Sequence, residues 1–176
     1  GRWVLPERNG ELPSKPPLFH WIAGATAALV GLSDAVVRFP SALAAWAVLV
    51  AVYLVGARAG GRACGWLAVG ALAGMHGFVE AAGEARVDMV FAATVTIALA
   101  AFLHWYRTDA PWARALCWAG VAAAVLTKGP AGAVLVGLVV VVFLACERRL
   151  DRLRALWSWR LAALAIVVDA GWYAAE

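Results

Sequence analysis

The chain has 176 residues, 64% of them apolar and only 15% charged, against roughly half and a quarter in an ordinary globular domain. With a mean hydropathy of +0.80 it carries more apolar surface than a soluble sphere of this size hides, which excludes both a soluble globule and a disordered chain. Fifteen Lys and Arg against eleven Asp and Glu leave a net charge of +4. The basic residues fall between hydrophobic runs rather than on one polar face, so they report membrane topology and not nucleic-acid binding.

Residues 1–17 hold four of the seven prolines (Pro6, Pro13, Pro16, Pro17) and an Asn9-Gly10 turn signal, and read as an extended loop on the outer face. Residues 18–33 are apolar but too short to cross, open after two prolines and carry Phe19, His20 and Trp21, as a helix lying in the membrane interface does. Six apolar runs follow within 34–176: Ala35–Gly56, Gly65–Glu80, Val87–Tyr106, Ala115–Thr127, Ala131–Cys146 and Leu161–Tyr173. They lack two-residue alternation, and a bilayer admits only helices or closed barrels. The expected fold is therefore all-α: a polytopic membrane bundle of about six transmembrane helices plus one interfacial helix.

Short loops retain Lys and Arg on the cytoplasmic side. The loops with Arg58/Arg62, Arg107/Arg114 and Arg148/Arg149/Arg152/Arg154/Arg160 carry nine of the fifteen basic residues and alternate correctly along six spans, so they are expected on that side. Cys64, Cys117 and Cys146 fall near the same ends, where a reducing compartment keeps thiols free. Three cysteines without zinc spacing indicate neither a disulfide framework nor a metal site. The start lacks the features of a secretory leader, and the last apolar run stops abruptly, so the stretch reads as internal to a longer protein.

An ionisable residue at or inside a span costs about 2.5–3.5 kcal/mol and needs a partner, water or a task. Lys15, held extended by the two prolines after it, is either a snorkelling anchor or a phosphate ligand. Glu80, Glu84 and Asp88 are spaced by four, so a continuous helix would line them on one face with Arg86 off it, whereas Gly83 argues for a break. Crowded carboxylates beside lipid suit proton exchange, while the plainer reading has Asp88 capping the next helix. Lys128, in the Thr127-Lys128-Gly129-Pro130 turn, faces the outer leaflet as an interface anchor on composition alone. His20 and His76 receive no role, and Asp169 either faces the bundle interior or marks a misread span.

Four stretches together carry a resemblance. Asn9-Gly10-Glu11-Leu12-Pro13-Ser14-Lys15-Pro16-Pro17-Leu18-Phe19-His20-Trp21 and Arg38-Phe39-Pro40-Ser41-Ala42-Leu43 resemble the NG-x-P-x-x-KPPL-x-x-W … R-x-PSAL stretch of polyprenyl-phosphate-sugar-dependent membrane glycosyltransferases. Ala85-Arg86-Val87-Asp88-Met89 is similar to their AR-T-DM turn, and Leu126-Thr127-Lys128-Gly129-Pro130 to their LTKGP turn. This family has the GT-C fold and includes protein O-mannosyltransferase-like enzymes and the lipid A aminoarabinose transferase. The resemblance implies an enzyme of the bacterial cytoplasmic (inner) membrane. It would move a sugar from a polyprenyl-phosphate carrier to a protein, lipid or glycan acceptor on the periplasmic face, with inversion and no nucleotide sugar.

By the same resemblance Lys15 and Lys128 contact the donor phosphate, Asp88 is a supporting acid that orients acceptor or sugar, and Glu84 and Arg86 lie at the substrate. The family's leading acidic pair, the expected main base, precedes the NG-x-P stretch and would lie upstream of Gly1, so these residues alone are not expected to turn over. Gly171-Trp172 stands where the family commonly has Pro-Trp. No cofactor beyond the lipid-linked donor is implied, and no metal ligand set is assigned. A transporter and a non-catalytic membrane scaffold are the rival readings; the first requires paired charges at mid-membrane along a polar path.

Overall fold

A computed structural model describes residues 16–175, which contain eight helices and no strand. Pro16 and Pro17 are buried where the chain enters α1 (Leu18–Val30), whose Phe19 is inserted into the core. Gly31, at φ 86°, ends this helix three residues short of the expected 33, because that backbone region is open to glycine and stops the helical ladder. Leu29, Val30 and Leu32 at its end are exposed.

Ser33 caps α2 (Asp34–Ala73), its hydroxyl accepting from the Val36 N–H at 3.4 Å, with Asp34 adding a favourable charge at the helix N-terminus. Gly60 and Gly61 leave helical geometry, Gly61 at φ 81°, and the chain folds back on itself. A Cβ on Gly65 would lie 2.8 Å from the Tyr53 carbonyl oxygen, and one on Gly56 would lie 3.0 Å from the Gly65 Cα. The two limbs thus approach through bare backbone, with the Tyr53 and Trp66 rings 4.9 Å apart across them.

The run expected to continue from Gly65 to Glu80 is interrupted at Gly74-Met75, where Met75 is extended, and resumes as the short α3 (His76–Gly83). Apolar composition is continuous through this point, so hydropathy did not reveal the break. The remaining helices are α4 (Val87–Thr108), α5 (Pro111–Lys128), α6 (Ala131–Cys146), α7 (Arg152–Leu156) and α8 (Trp159–Ala175). Among the described residues α2 and α4 are long and apolar enough to cross a membrane. At 16 and 17 residues, α6 and α8 fall short of the ~20 a full crossing uses. The expected count of about six spans is therefore not confirmed by helix length and composition.

One apolar cluster joins α1, α2 and α4 through Phe19, Ala44, Val48, Val87, Met89 and Val90. A second joins α4, α5 and α6 through Ala98, Phe102, Trp105, Cys117, Val136 and Leu144. Much of the packing is small residue on small residue, as expected where lipid removes the hydrophobic drive between helices and close approach must supply the attraction. A Cβ on Gly120 of α5 would meet the Ala98 Cβ of α4 at 2.8 Å, and one on Gly132 of α6 would meet Ala124 of α5 at 2.7 Å. These crossings fix how the ends of α4 and α5 face each other.

Candidate functional site

The turn between α3 and α4 is held by α2. The Arg38 guanidinium donates to the Gly83 carbonyl at 3.2 Å, and the buried Ser41 hydroxyl donates to the Arg86 carbonyl at 3.1 Å. Pro40 between them is also fully buried. Residues Glu84 and Arg86 are extended, so Gly83 does break the helix and the three carboxylates do not share a face. Glu80 remains on α3 beside His76 at 3.9 Å.

Cations are interleaved with the other two acids in place of the expected crowding. Arg86 donates to Glu84 at 3.0 Å and lies 3.8 Å from Asp88. The Glu84 hydrogen bond, with the charges of Glu84 and Asp88, raises the Arg86 guanidinium above its ordinary pKa. Lys128 donates to the other oxygen of Asp88 at 2.8 Å and lies 5.2 Å over the Phe91 ring. Asp88 is not the N-cap of α4, a position taken by Arg86; it lies in the first turn.

This pairing follows from helix direction. Because α4 and α5 run antiparallel, the positive end of one lies beside the negative end of the other. Asp88 in the first turn of α4 and Lys128 in the last turn of α5 each complement their own helix dipole and each other. Thr127 is fully buried, its hydroxyl donating to the Ala123 carbonyl at 2.6 Å, and Gly129 at φ 77° closes the helix. The Lys128 stem therefore leaves a fixed point. The Asp88 and Lys128 side chains each remain 41% exposed. An ammonium has three donors, and Asp88 accepts from one of them.

Of the predicted site residues, Glu84, Arg86, Asp88 and Lys128 form one charged cluster, and Lys15 lies outside the described residues. Arg38 and Ser41, not assigned roles from sequence, brace the cluster; the R-x-PSAL stretch that contains them was the available signal. Among the described residues no three His, Cys, Asp or Glu side chains gather as a metal site. The predicted basic loops collect at the far end of α4 and α5. There Arg152 pairs with Asp109 at 2.5 Å and stacks 4.7 Å over Trp105, while Arg114 donates to the Ala155 carbonyl at 3.1 Å. Asp169 faces the bundle, lining a cavity of about 550 Å³ between α5, α6 and α8.

Residues 14–173, nearly the whole chain and all of this cluster, match the family model described as dolichyl-phosphate-mannose-protein mannosyltransferase. The chain belongs to this family. It is 28% identical over 98% of its length to an undecaprenyl phosphate-alpha-4-amino-4-deoxy-L-arabinose arabinosyl transferase of Shewanella sediminis, covering 32% of that protein. An uncharacterized protein of Aquifex aeolicus is 29% identical over 98% of the chain, which spans 35% of it. The chain also superposes on crystal structures of ArnT from Cupriavidus metallidurans in the apo state and bound to undecaprenyl phosphate. The TM-score is 0.88 for each, at 27% and 28% identity, covering 98% of this chain and 33% of ArnT. The chain therefore spans about a third of the length of these relatives, and its all-helical fold matches the covered third of ArnT.

Proposed function

We propose that the protein containing this chain is a multi-pass glycosyltransferase of the bacterial inner membrane, moving a hexose or pentose from a polyprenyl-phosphate carrier to a protein, lipid or glycan acceptor. The observation that carries this reading is the Asp88–Lys128 pair: a fixed, half-exposed cation at one end of the helices, beside Arg86. Breaking a bond from sugar to lipid phosphate leaves negative charge on the phosphate, and a preorganised ammonium stabilises it as it grows. Lys15 and Lys128 are the proposed phosphate ligands. A carboxylate held by two cations is a weak base, so Asp88 fixes Lys128 and orients sugar or acceptor, with Glu84 and Arg86 beside it. Six spans, three basic loops facing the cytoplasm and residues 1–17 outside belong to this proposal. The superposition on ArnT bound to undecaprenyl phosphate supports a polyprenyl-phosphate partner.

A transporter would carry its charge pairs along a path at mid-depth. The described cross-helix ion pairs lie at helix ends instead: Asp88–Lys128 at one, Asp109–Arg152 at the other. The test is sugar transfer by the full-length protein in membranes supplied with the lipid-linked donor. Lys15→Ala and Asp88→Asn should each cut turnover by about 10²-fold, and Lys15→Arg should retain part of it, keeping charge but misplacing it. Unchanged turnover in both of the first two variants would remove the site assignment.

A further inference from the structure

A second concave surface lies toward the far end of α4 and of the first limb of α2 from the Asp88 cluster. It is a groove of about 320 Å³ with a wall of Trp46, Val50 and Leu54 from α2 and Ala100 and Leu103 from α4. Its mouth holds Arg58, Arg107 and His104, with the Trp112 ring tilted against His104 at a centroid separation of 4.8 Å. From Trp46 to Arg58 the helix rises roughly 18 Å. That is slightly more than half of a ~30 Å hydrocarbon core, so the groove has the depth of one leaflet with its cations at the interface.

Neither arginine meets a carboxylate among the described residues. Arg58 donates only to the Leu54 carbonyl of its own helix at 3.3 Å, in contrast to Arg152 and Arg114 nearby, which are engaged by Asp109 and Ala155. An apolar channel one leaflet deep, ending in two uncompensated guanidiniums and an aromatic pair, has the shape and charge of a phospholipid with an anionic headgroup. Guanidinium binds phosphate through two parallel hydrogen bonds. We infer that this groove is a binding site for a single anionic phospholipid of the leaflet opposite the Asp88 cluster, its phosphate between Arg58 and Arg107 and one acyl chain along Val50 and Leu54.

The experiment uses the full-length protein extracted into mild detergent with an equimolar mixture of phosphatidylglycerol and phosphatidylcholine, with retained lipid read by native mass spectrometry. Wild type should hold one phosphatidylglycerol in preference. The double variant R58Q/R107Q should lower that preference roughly thirtyfold, the product of two juxtamembrane basic residues. Ala47→Trp, which fills the channel, should release both lipids, and Arg58→Lys/Arg107→Lys should keep part of the preference and so show that charge, not folding, is read. An unchanged preference in R58Q/R107Q overturns the inference. So does a wild type that retains neither lipid while a cysteine at Ala47 is shielded from a lipid-soluble maleimide, since another part of the chain then covers the groove.

Discussion

Gly120 offers the sharpest test of how the bundle is held together. Its Cβ, if present, would lie 2.8 Å from the Ala98 Cβ and 3.0 Å from the Ala98 Cα and backbone nitrogen. Two of those three obstacles are backbone, so no rotamer change relieves them, and α4 and α5 must part by about half an ångström or more to restore ordinary contact. Overpacking of this kind costs about 1–3 kcal/mol, offset by the ~0.5–1 kcal/mol that alanine gains over glycine in a helix. Gly120→Ala should thus destabilise by about 0.5–2 kcal/mol. Gly137 on α6 is the matched control: nothing lies within 4 Å of its Cβ position, so Gly137→Ala should stabilise by ~0.5–1 kcal/mol.

The structure supplies its own reporter for the measurement. Cys117 is buried in the α4–α5–α6 core, whereas Cys64 and Cys146 are exposed. After exposed thiols are blocked in the native protein, a thiol-reactive fluorophore added during heating reads the opening of that core. At about 2–4 °C per kcal/mol for a chain of this size, the two variants should move the midpoint in opposite directions by a total of several degrees. Shifts of the same sign and size would refute the close crossing, and with it the geometry that brings Asp88 to Lys128.

Three further outcomes follow from particular contacts. Lys128→Met and Asp88→Asn, singly and together, should show a stability coupling of about 0.2–1 kcal/mol that shrinks with added salt, because both side chains are half exposed; a coupling of zero at low salt would contradict the pair. Ser41→Ala should cost about 0.5–1.5 kcal/mol by removing the donor to the Arg86 carbonyl, and should lower turnover as well as the unfolding midpoint. In the folded protein, maleimide should modify Cys64 and Cys146 and spare Cys117, as counted by intact mass.

Much of the local plan was legible from residue types. Gly83 foretold the break before α4, Pro16-Pro17 the start of α1, and the Arg58/Arg62 loop between two apolar runs the reversal that divides α2. The break at Gly74-Met75 was not legible, because apolar residues continue on both sides and only one glycine marks it. Asp169 was legible as an anomaly; that it faces a cavity between α5, α6 and α8 required the packing.

Composition alone placed this chain among membrane helices, since too few polar residues exist to cover a soluble surface, and the order of its short motifs already implied the family. Sequence also identified Asp88 and Lys128 as charges in need of a reason. It left open that they meet 2.8 Å apart, because forty residues and two helix crossings separate them and a hydrogen bond across that distance depends on tenths of an ångström at Gly120 and Ala98. Nor did it show Arg38 and Ser41 reaching over to hold the turn. One-dimensional pattern reports which solvent each residue prefers; which polar groups become partners is decided by how closely the helices pack.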